Sequence, residues 1–304
     1  MSNPPPPPPT TLRILQYNMF LRPAFVNNPG AGDFKDERLD SFIAHALPNY
    51  DLLILQEVFD GINITKCCCI AGRLKKKLIL AAKVAGYCCH HSGPDPGFGQ
   101  FLDGGLLILS RFPILDTATH AFLTVGAHGD QLSSKGWYVN PSFSSSIQHL
   151  LTLLLSLHAL LDVNGAQLDV FAAHTQASYQ YVASKDVERI QRGQVEELAE
   201  FIKECRGDRE RALFGGDLNI DALQDSHTGS YTNLLAVMKS RSGLNVCRDL
   251  LMEGKEGTHP ETSVKYRWDK ETDKEIVRGS YLTREAEGAD EEGIVRRAAR
   301  FDYL

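Results

Sequence analysis

Two carboxylates in this chain each close a short apolar run. Leu52-Leu53-Ile54-Leu55 leads into Gln56-Glu57, and Ala212-Leu213-Phe214 leads into Gly215-Gly216-Asp217-Leu218-Asn219. Apolar runs of this length read as buried strands, and polar residues at their ends sit where a sheet opens toward solvent. Two acidic strand ends that meet at one mouth would seat a hard divalent cation such as Mg²⁺, which prefers oxygen ligands and keeps several waters. In chain order the strand ends offer Asn18, Glu57, His174, Asp217 and Asn219. Phosphodiester hydrolysis needs such a set. A carboxylate-held cation draws charge from the phosphoryl oxygens, donors face the charge of the transition state, and a base activates water.

Each residue also has a plain structural reading. Gly216-Asp217-Leu218-Asn219 alone is compatible with a turn after a strand, and His174 with a satisfied core histidine. Glu57 would then be only a strand-terminal acid, and Lys135, in a Ser/Gly loop, a solvated lysine. The ordered set, rather than any one member, carries the chemical reading.

The elements that must position these residues follow from periodicity. Leu12 to Tyr17 reads as a strand ending at Asn18, followed by a helix that carries Phe34, Leu39, Phe42, Ile43, Ala46 and Leu47 and closes at Pro48. Asp51 to Gln56 is the second strand, and Leu74 to Val84 a lysine-rich helix ending at Gly86. Gly104-Gly105 introduces a strand over Leu106 to Leu109. Asn164-Gly165, between Leu160-Leu161-Asp162-Val163 and Leu168-Asp169-Val170-Phe171, signals a hairpin. Asp186 to Lys203 is the clearest helix, with a strand over Arg211 to Gly215 after it. Strands joined partly by hairpins and partly by helices predict two sheets with helices outside. Glu253 to Arg300, charged and poorly periodic, reads as a long irregular loop.

Composition narrows the class. The chain has 304 residues, and 43% hydrophobic with 23% charged residues is ordinary for a globular protein with a full core. A net charge of −6 argues against a nucleic-acid binder that works by bulk positive charge, although a local patch leaves a nuclease open. Seven cysteines, as Cys67-Cys68-Cys69, Cys88-Cys89, Cys205 and Cys247, lack zinc-site spacing and read as free thiols in a reducing compartment. Tyr87-Cys88-Cys89, beside His90-His91, reads as strand. Residues 1–11, with prolines at 4 to 9, form a disordered leader of polyproline character without the features of a secretory signal. Ile147 to Leu161 is the most apolar stretch. It is shorter than the about 20 residues of a spanning helix and contains His149 and His158.

With these residues in place, the chain resembles the endonuclease/exonuclease/phosphatase superfamily, whose members carry a strand-end Asn, a Gln-Glu pair, a histidine motif and Gly-Asp-x-Asn. The resemblance runs from about Leu12 to Leu304 and implies a four-layer αββα sandwich of two packed β-sheets flanked by helices. Within that superfamily the chain is most similar to the neutral and bacterial sphingomyelinases. Gln16-Tyr17-Asn18-Met19-Phe20-Leu21, His174-Thr175-Gln176-Ala177 and the loop from Asp130 to Gly136 carry the narrower likeness. It implies that Glu57 holds Mg²⁺ with Asn18 beside it, and that Asn219 and His174 contact the phosphoryl group. Asp217 would position the attacking water and Lys135 would act near the mouth. The implied reaction is hydrolysis of sphingomyelin, or a related phospholipid at a membrane surface, to ceramide and phosphocholine. The implied setting is cytoplasmic or peripheral to a membrane, with no nucleic-acid partner.

Three departures qualify the likeness. Ala172-Ala173 stand where the family places Thr, often Asn-Thr, before the histidine. Residues from about 140 to 160 form an insertion. The family's Ser-Asp-His lies beyond the Asp-Tyr strand that Asp302-Tyr303 resembles, whereas the sequence stops at Leu304. The alternatives are therefore a truncated or non-catalytic member of the fold that binds metal or phospholipid, or a phosphoesterase acting on inositol phosphates or nucleic acid.

Overall fold

The computed structural model describes residues 11–22, 34–59, 73–94, 103–124, 154–177, 184–220, 222 and 229–244, together with the backbone course of 262–269, 274–282 and 302–303. Lys135, the leader through residue 10 and residues 140–153 lie outside the described residues.

The first sheet begins with β1 (Ile14–Leu21), which passes through helix α1 (Lys35–His45) to β2 (Leu52–Val58). The two strands run parallel, with Ile14 opposite Leu52 and Asn18 opposite Gln56. Helix α2 (Arg73–Val84), β3 (Cys89–Ser92) and β4 (Leu107–Ser110) complete this half, in the spatial order β1-β2-β4-β3. The second sheet has the order β11-β8-β7-β6-β5. Its members are β5 (Ile114–Ala121), β6 (Leu155–Val163), β7 (Ala166–His174), β8 (Ala212–Asp217) and β11 (Asp302–Tyr303). Helix α3 (Ser184–Arg206) makes the crossover between parallel β7 and β8, and α4 (Ser230–Arg241) packs beside it.

Alternation along β2 explains the four layers. Leu53 and Leu55 turn toward Leu39, Leu47, Leu78 and Ala82 of the first helical layer and its flanks. Leu52 and Ile54 turn the other way, to Leu157, Ala159, Val170 and Ala172 of the second sheet. A strand covered on both faces reads as a continuous apolar run, which is why Leu52 to Leu55 show no polar alternation. On the far side, Phe171 and Ala173 meet Val195, Leu198, Ala199 and Ile202 of α3, with Leu234 and Met238 of α4 behind them. The expected αββα sandwich is the observed architecture.

Several local expectations hold and others need correction. The β6–β7 hairpin turns at Asn164 (φ 53°) and Gly165 (φ 89°), a pair of positive φ angles suited to Asn-Gly. The apolar run to Leu161 is no membrane segment in its second half. Leu155 to Leu161 are buried in a central strand paired on both sides, so Leu155 to Leu160 of the expected insertion belong to the sheet itself. No helix among the described residues is long and apolar enough to cross a membrane. The strand expected at Tyr87 begins instead at Cys89.

The stretch from Glu253 to Arg300 is not wholly irregular. β9 (Thr262–Asp269) and β10 (Lys274–Leu282) form an antiparallel pair, with Tyr266 opposite Val277 and Trp268 opposite Glu275. Val264, Tyr266 and Trp268 alternate with Lys265 and Arg267, a strand pattern that the charge content conceals. Helix α4 is a further element that the sequence pattern does not announce.

Candidate active site

The parallel pairs β1–β2 and β7–β8 bring four strand ends to one edge of the sandwich. His174 is opposite Asp217 in register, as Asn18 is opposite Gln56. The sheets close together here because Gly215 lacks a side chain. A Cβ at that position would lie 2.7 Å from Ile54 Cδ1 and 3.4 Å from Gln16 Cγ. Gln56 is wholly buried and accepts a 2.6 Å hydrogen bond from Gln16 Nε2, so it ties β2 to β1 while Glu57 turns to the mouth.

Asn18 joins the sheets. Its Nδ2 donates to Glu57 Oε1 and to Asp217 Oδ2, each at 3.1 Å, while its Oδ1 accepts from the Phe20 amide at 3.0 Å. That last bond fixes which end of the Asn18 amide faces the acids. The backbone at the three strand ends is left-handed, with φ of 52° at Phe20, 53° at Glu57 and 53° at Asn219. Asn visits this region readily, whereas for Phe and Glu it costs about 1–2 kcal/mol. The strain is concentrated where the carboxylates meet.

Asp217 is about nine-tenths buried, and each of its oxygens accepts one hydrogen bond. Its Oδ1 accepts from the Asn219 amide at 3.0 Å, its Oδ2 from Asn18, and His174 Nε2 lies 4.0 Å from Oδ2. Asn219 Nδ2 donates to the Thr175 carbonyl at 3.0 Å, and the Thr175 amide donates to the Asp217 carbonyl at 3.1 Å. Asn18, Glu57, His174, Asp217 and Asn219 therefore converge, while Lys135 lies outside the described residues. β11 places Asp302 opposite Asp217 in register.

Three contributors escaped the sequence reading. Gln191 Nε2 on α3 donates to the carbonyls of Gln176 (2.8 Å) and Asn219 (2.9 Å). Gln194 Oε1, one turn on, accepts from the Gln176 amide at 2.9 Å, and its Nε2 donates to the Thr124 carbonyl at 3.1 Å. Their signal was two amides three apart, flanked by apolar Ile190 and Val195 on the inner face of a helix. The third is the buried pair of Lys75 and Asp103. Asp103 Oδ1 also accepts from the Gly105 amide, and the Gly105 carbonyl accepts from Val58, next to Glu57.

Glu57 Oε2 is buried and has no hydrogen-bond partner among the described residues. An orphaned buried carboxylate oxygen is costly unless a cation or donor meets it. It fits Mg²⁺, which takes one or two carboxylates and completes its shell with water. Asn18 Oδ1 is turned to Phe20, so Asn18 stands beside this position as a clamp on the acids. Among the described residues no group of three or more His, Cys, Asp or Glu side chains is arranged around one point, so such an ion would rest on few protein ligands.

A sandwich of two sheets with acids, amides and a histidine at the strand ends defines a class of phosphoester-processing folds. The sequence profile of the Endonuclease/Exonuclease/phosphatase family matches residues 15–269, and the chain belongs to that family. It is 24% identical over 241 residues to a sphingomyelinase C of Bacillus cereus, covering 76% of this chain and 64% of that relative's length. Among solved structures, that of SmcL superposes with a TM-score of 0.61 at 20% identity, over 82% of this chain and 74% of the other. A Staphylococcus aureus beta toxin variant solved with bound magnesium ions gives 0.59 at 16% identity, over 88% and 95%. These superpositions bear on the fold.

Proposed function

We propose that the chain is a Mg²⁺-dependent phosphodiesterase that hydrolyses sphingomyelin to ceramide and phosphocholine. The observation that carries this reading is the buried Glu57 Oε2, without a partner among the described residues, beside the Asn18 amide that links Glu57 to Asp217. Bound at Glu57, Mg²⁺ would draw charge from the phosphoryl oxygens. His174 and Asn219 flank Asp217 and offer a ring N–H and the second amide N–H to those oxygens, in place before charge develops. Asp217 accepts a hydrogen bond from the attacking water and aims it in line with the leaving ceramide oxygen. Asn18 keeps the two acids at a fixed separation, and Lys135 adds positive charge near the mouth. The substrate would be drawn from a membrane surface by a protein that is either cytoplasmic or peripherally associated with the membrane. The negative net charge and the His174-Thr175-Gln176-Ala177 motif weigh against nucleic acid. The likeness to a sphingomyelinase C supports the choice of lipid.

The test is phosphocholine release from sphingomyelin vesicles, with and without Mg²⁺, by the wild type, Glu57→Ala and His174→Ala. Mg²⁺-dependent release that both substitutions abolish is expected. Inositol phosphates and plasmid DNA serve as competing substrates. Turnover of either one, with no phosphocholine released, overturns the choice of sphingomyelin. Metal-independent turnover that Glu57→Ala leaves unchanged overturns the mechanism.

A further inference from the structure

Cys88 and Cys89 sit at the far end of the first sheet and take no part in the site above. Adjacent residues on an extended strand point to opposite faces, which separates their side chains. Here the two Sγ atoms are 3.3 Å apart. The reason is local: Gly86 turns the chain with φ 91° after α2, and the ladder begins only at Cys89, opposite Ser110. Cys88 is thus not committed to either face. It is exposed, Cys89 is partly exposed, and Cys88 also contacts the Arg111 carbonyl at 3.4 Å.

We propose that Cys88 and Cys89 form a vicinal dithiol that peroxides oxidise to a disulfide between neighbouring residues. In the first step a thiolate attacks a peroxide oxygen, the O–O bond breaks, and a sulfenic acid forms with release of hydroxide. The second thiol then attacks that sulfur, the S–O bond breaks, and water leaves as the S–S bond forms. Overall, two thiols lose two electrons and two protons, and one hydrogen peroxide becomes two waters. Closure needs the sulfurs to approach by about 1.3 Å, to the usual bond length of about 2.05 Å. Because Cys88 precedes the first laddered residue, that movement breaks no sheet hydrogen bond of its own. Consecutive residues are closer than most disulfides prefer, so the product is strained and easily reduced, as reversible redox pairs are.

Partial desolvation, followed by the neighbouring Cys89 thiol, pushes the Cys88 thiol up to about 11. Since the thiolate is the nucleophile, oxidation quickens as pH rises from neutrality. Ser110, the partner of Cys89, pairs with Leu52, and Leu52 is five residues, roughly 16 Å, from Glu57. The disulfide leaves the metal position untouched.

The experiment treats the intact chain with hydrogen peroxide at mildly alkaline pH, blocks remaining thiols with iodoacetamide, and digests with trypsin without reduction. Trypsin releases Val84–Arg111, which contains Cys88 and Cys89 and no other cysteine. The expected peptide is unalkylated and lighter by two hydrogens, takes two alkyl groups after reduction, and is absent from Cys88→Ser and from Cys89→Ser. Unchanged Mg²⁺ affinity of the oxidised chain is expected as well. A peptide that remains doubly alkylated, advances to sulfinic acid at both positions, or is cross-linked to another cysteine overturns the proposal.

Discussion

Glu57 on one sheet and Asp217 on the other are held by a single nitrogen, Asn18 Nδ2, which lies 3.1 Å from an oxygen of each. Two acids bridged by a neutral amide repel one another, and only one Glu57 oxygen is satisfied by the described residues. The arrangement persists because it is over-determined from outside. Gln56 anchors β2 to β1, Gly215 lets the sheets approach, and the Phe20 amide orients Asn18. Sites of this kind trade stability for preorganisation, and a bound cation recovers part of what was given up.

Glu57→Gln should raise the metal-free melting temperature and abolish stabilisation by Mg²⁺. The substitution removes the charge repulsion at the mouth and keeps the side-chain shape. In the wild type, Mg²⁺ at a hundred times its Kd should add about 2.7 kcal/mol. Thermal unfolding of both chains across a Mg²⁺ series measures this, and a Gln variant that Mg²⁺ still stabilises would place the ion elsewhere.

Asn18→Ala removes the donor that both acids share. Hydrogen bonds to charged groups contribute about 1.5–3 kcal/mol each, so losing both costs about 3–6 kcal/mol without metal. Mg²⁺ should recover part of it, because a cation between the carboxylates replaces the missing donor. Denaturant titration with and without Mg²⁺ is the measurement. A loss that is the same in both conditions contradicts the clamp role.

Asp103→Ala should be among the most damaging single changes. It leaves Lys75 buried and unpaired, and breaking one side of a buried ion pair costs about 3–5 kcal/mol. Lys75→Met combined with Asp103→Leu should recover most of the stability, since neither charge then remains. Equal damage from the single and double variants would point to the Gly105 contact rather than to the ion pair.

The wild type should lose stability on mild acidification, with His91 as one cause. Burial holds this ring below its ordinary value of 6.5, against the pull of its hydrogen bond to the Ala118 carbonyl. The folded chain therefore resists a proton that the unfolded chain takes up. The contribution is present above 6.5 and lost as pH falls through the lower folded value. His91→Gln should flatten the dependence of melting temperature on pH between about 6.5 and 5. An unchanged slope removes His91 from the account.

The strand ends were legible because burial on both faces leaves a plain mark. Leu52 to Leu55 can only be a central strand, and Glu57 after them can only be at its end. The hairpin at Asn164-Gly165 was legible for a different reason, since few dipeptides accept two positive φ angles. What stayed hidden depends on contacts between distant segments. Nothing local announces that one amide of Asn18 spans two sheets, or that Lys75 meets Asp103. Charges at alternate positions concealed β9 and β10, and the mixed surface of α4, with Tyr231, Leu234 and Met238 inward, gave too weak a period to read.

The inner amides of α3 yield the most discriminating prediction about positioning. Gln191 is nearly buried and its one nitrogen satisfies two carbonyls, that of Gln176 and that of Asn219. Gln191→Met keeps the volume and removes the donor, so two carbonyls lose a partner in a place that water reaches poorly. Each such loss costs about 1–3 kcal/mol. Asn219 is then released from behind while its side chain still bonds to Thr175. In the proposed mechanism Asn219 donates to a phosphoryl oxygen, and misplacement of such a donor by about 1 Å can cost 10²-fold in rate. Leu78→Ala is the control, because Leu78 is wholly buried on the inner face of α2, in the first sheet's helical layer, and its truncation costs about 2–5 kcal/mol. Both variants should melt earlier. Under conditions where both are folded, only Gln191→Met should lose turnover per folded molecule, in kcat more than in KM. If the two variants lose turnover only in proportion to their unfolded fractions, Gln191 supports the fold and does not position Asn219.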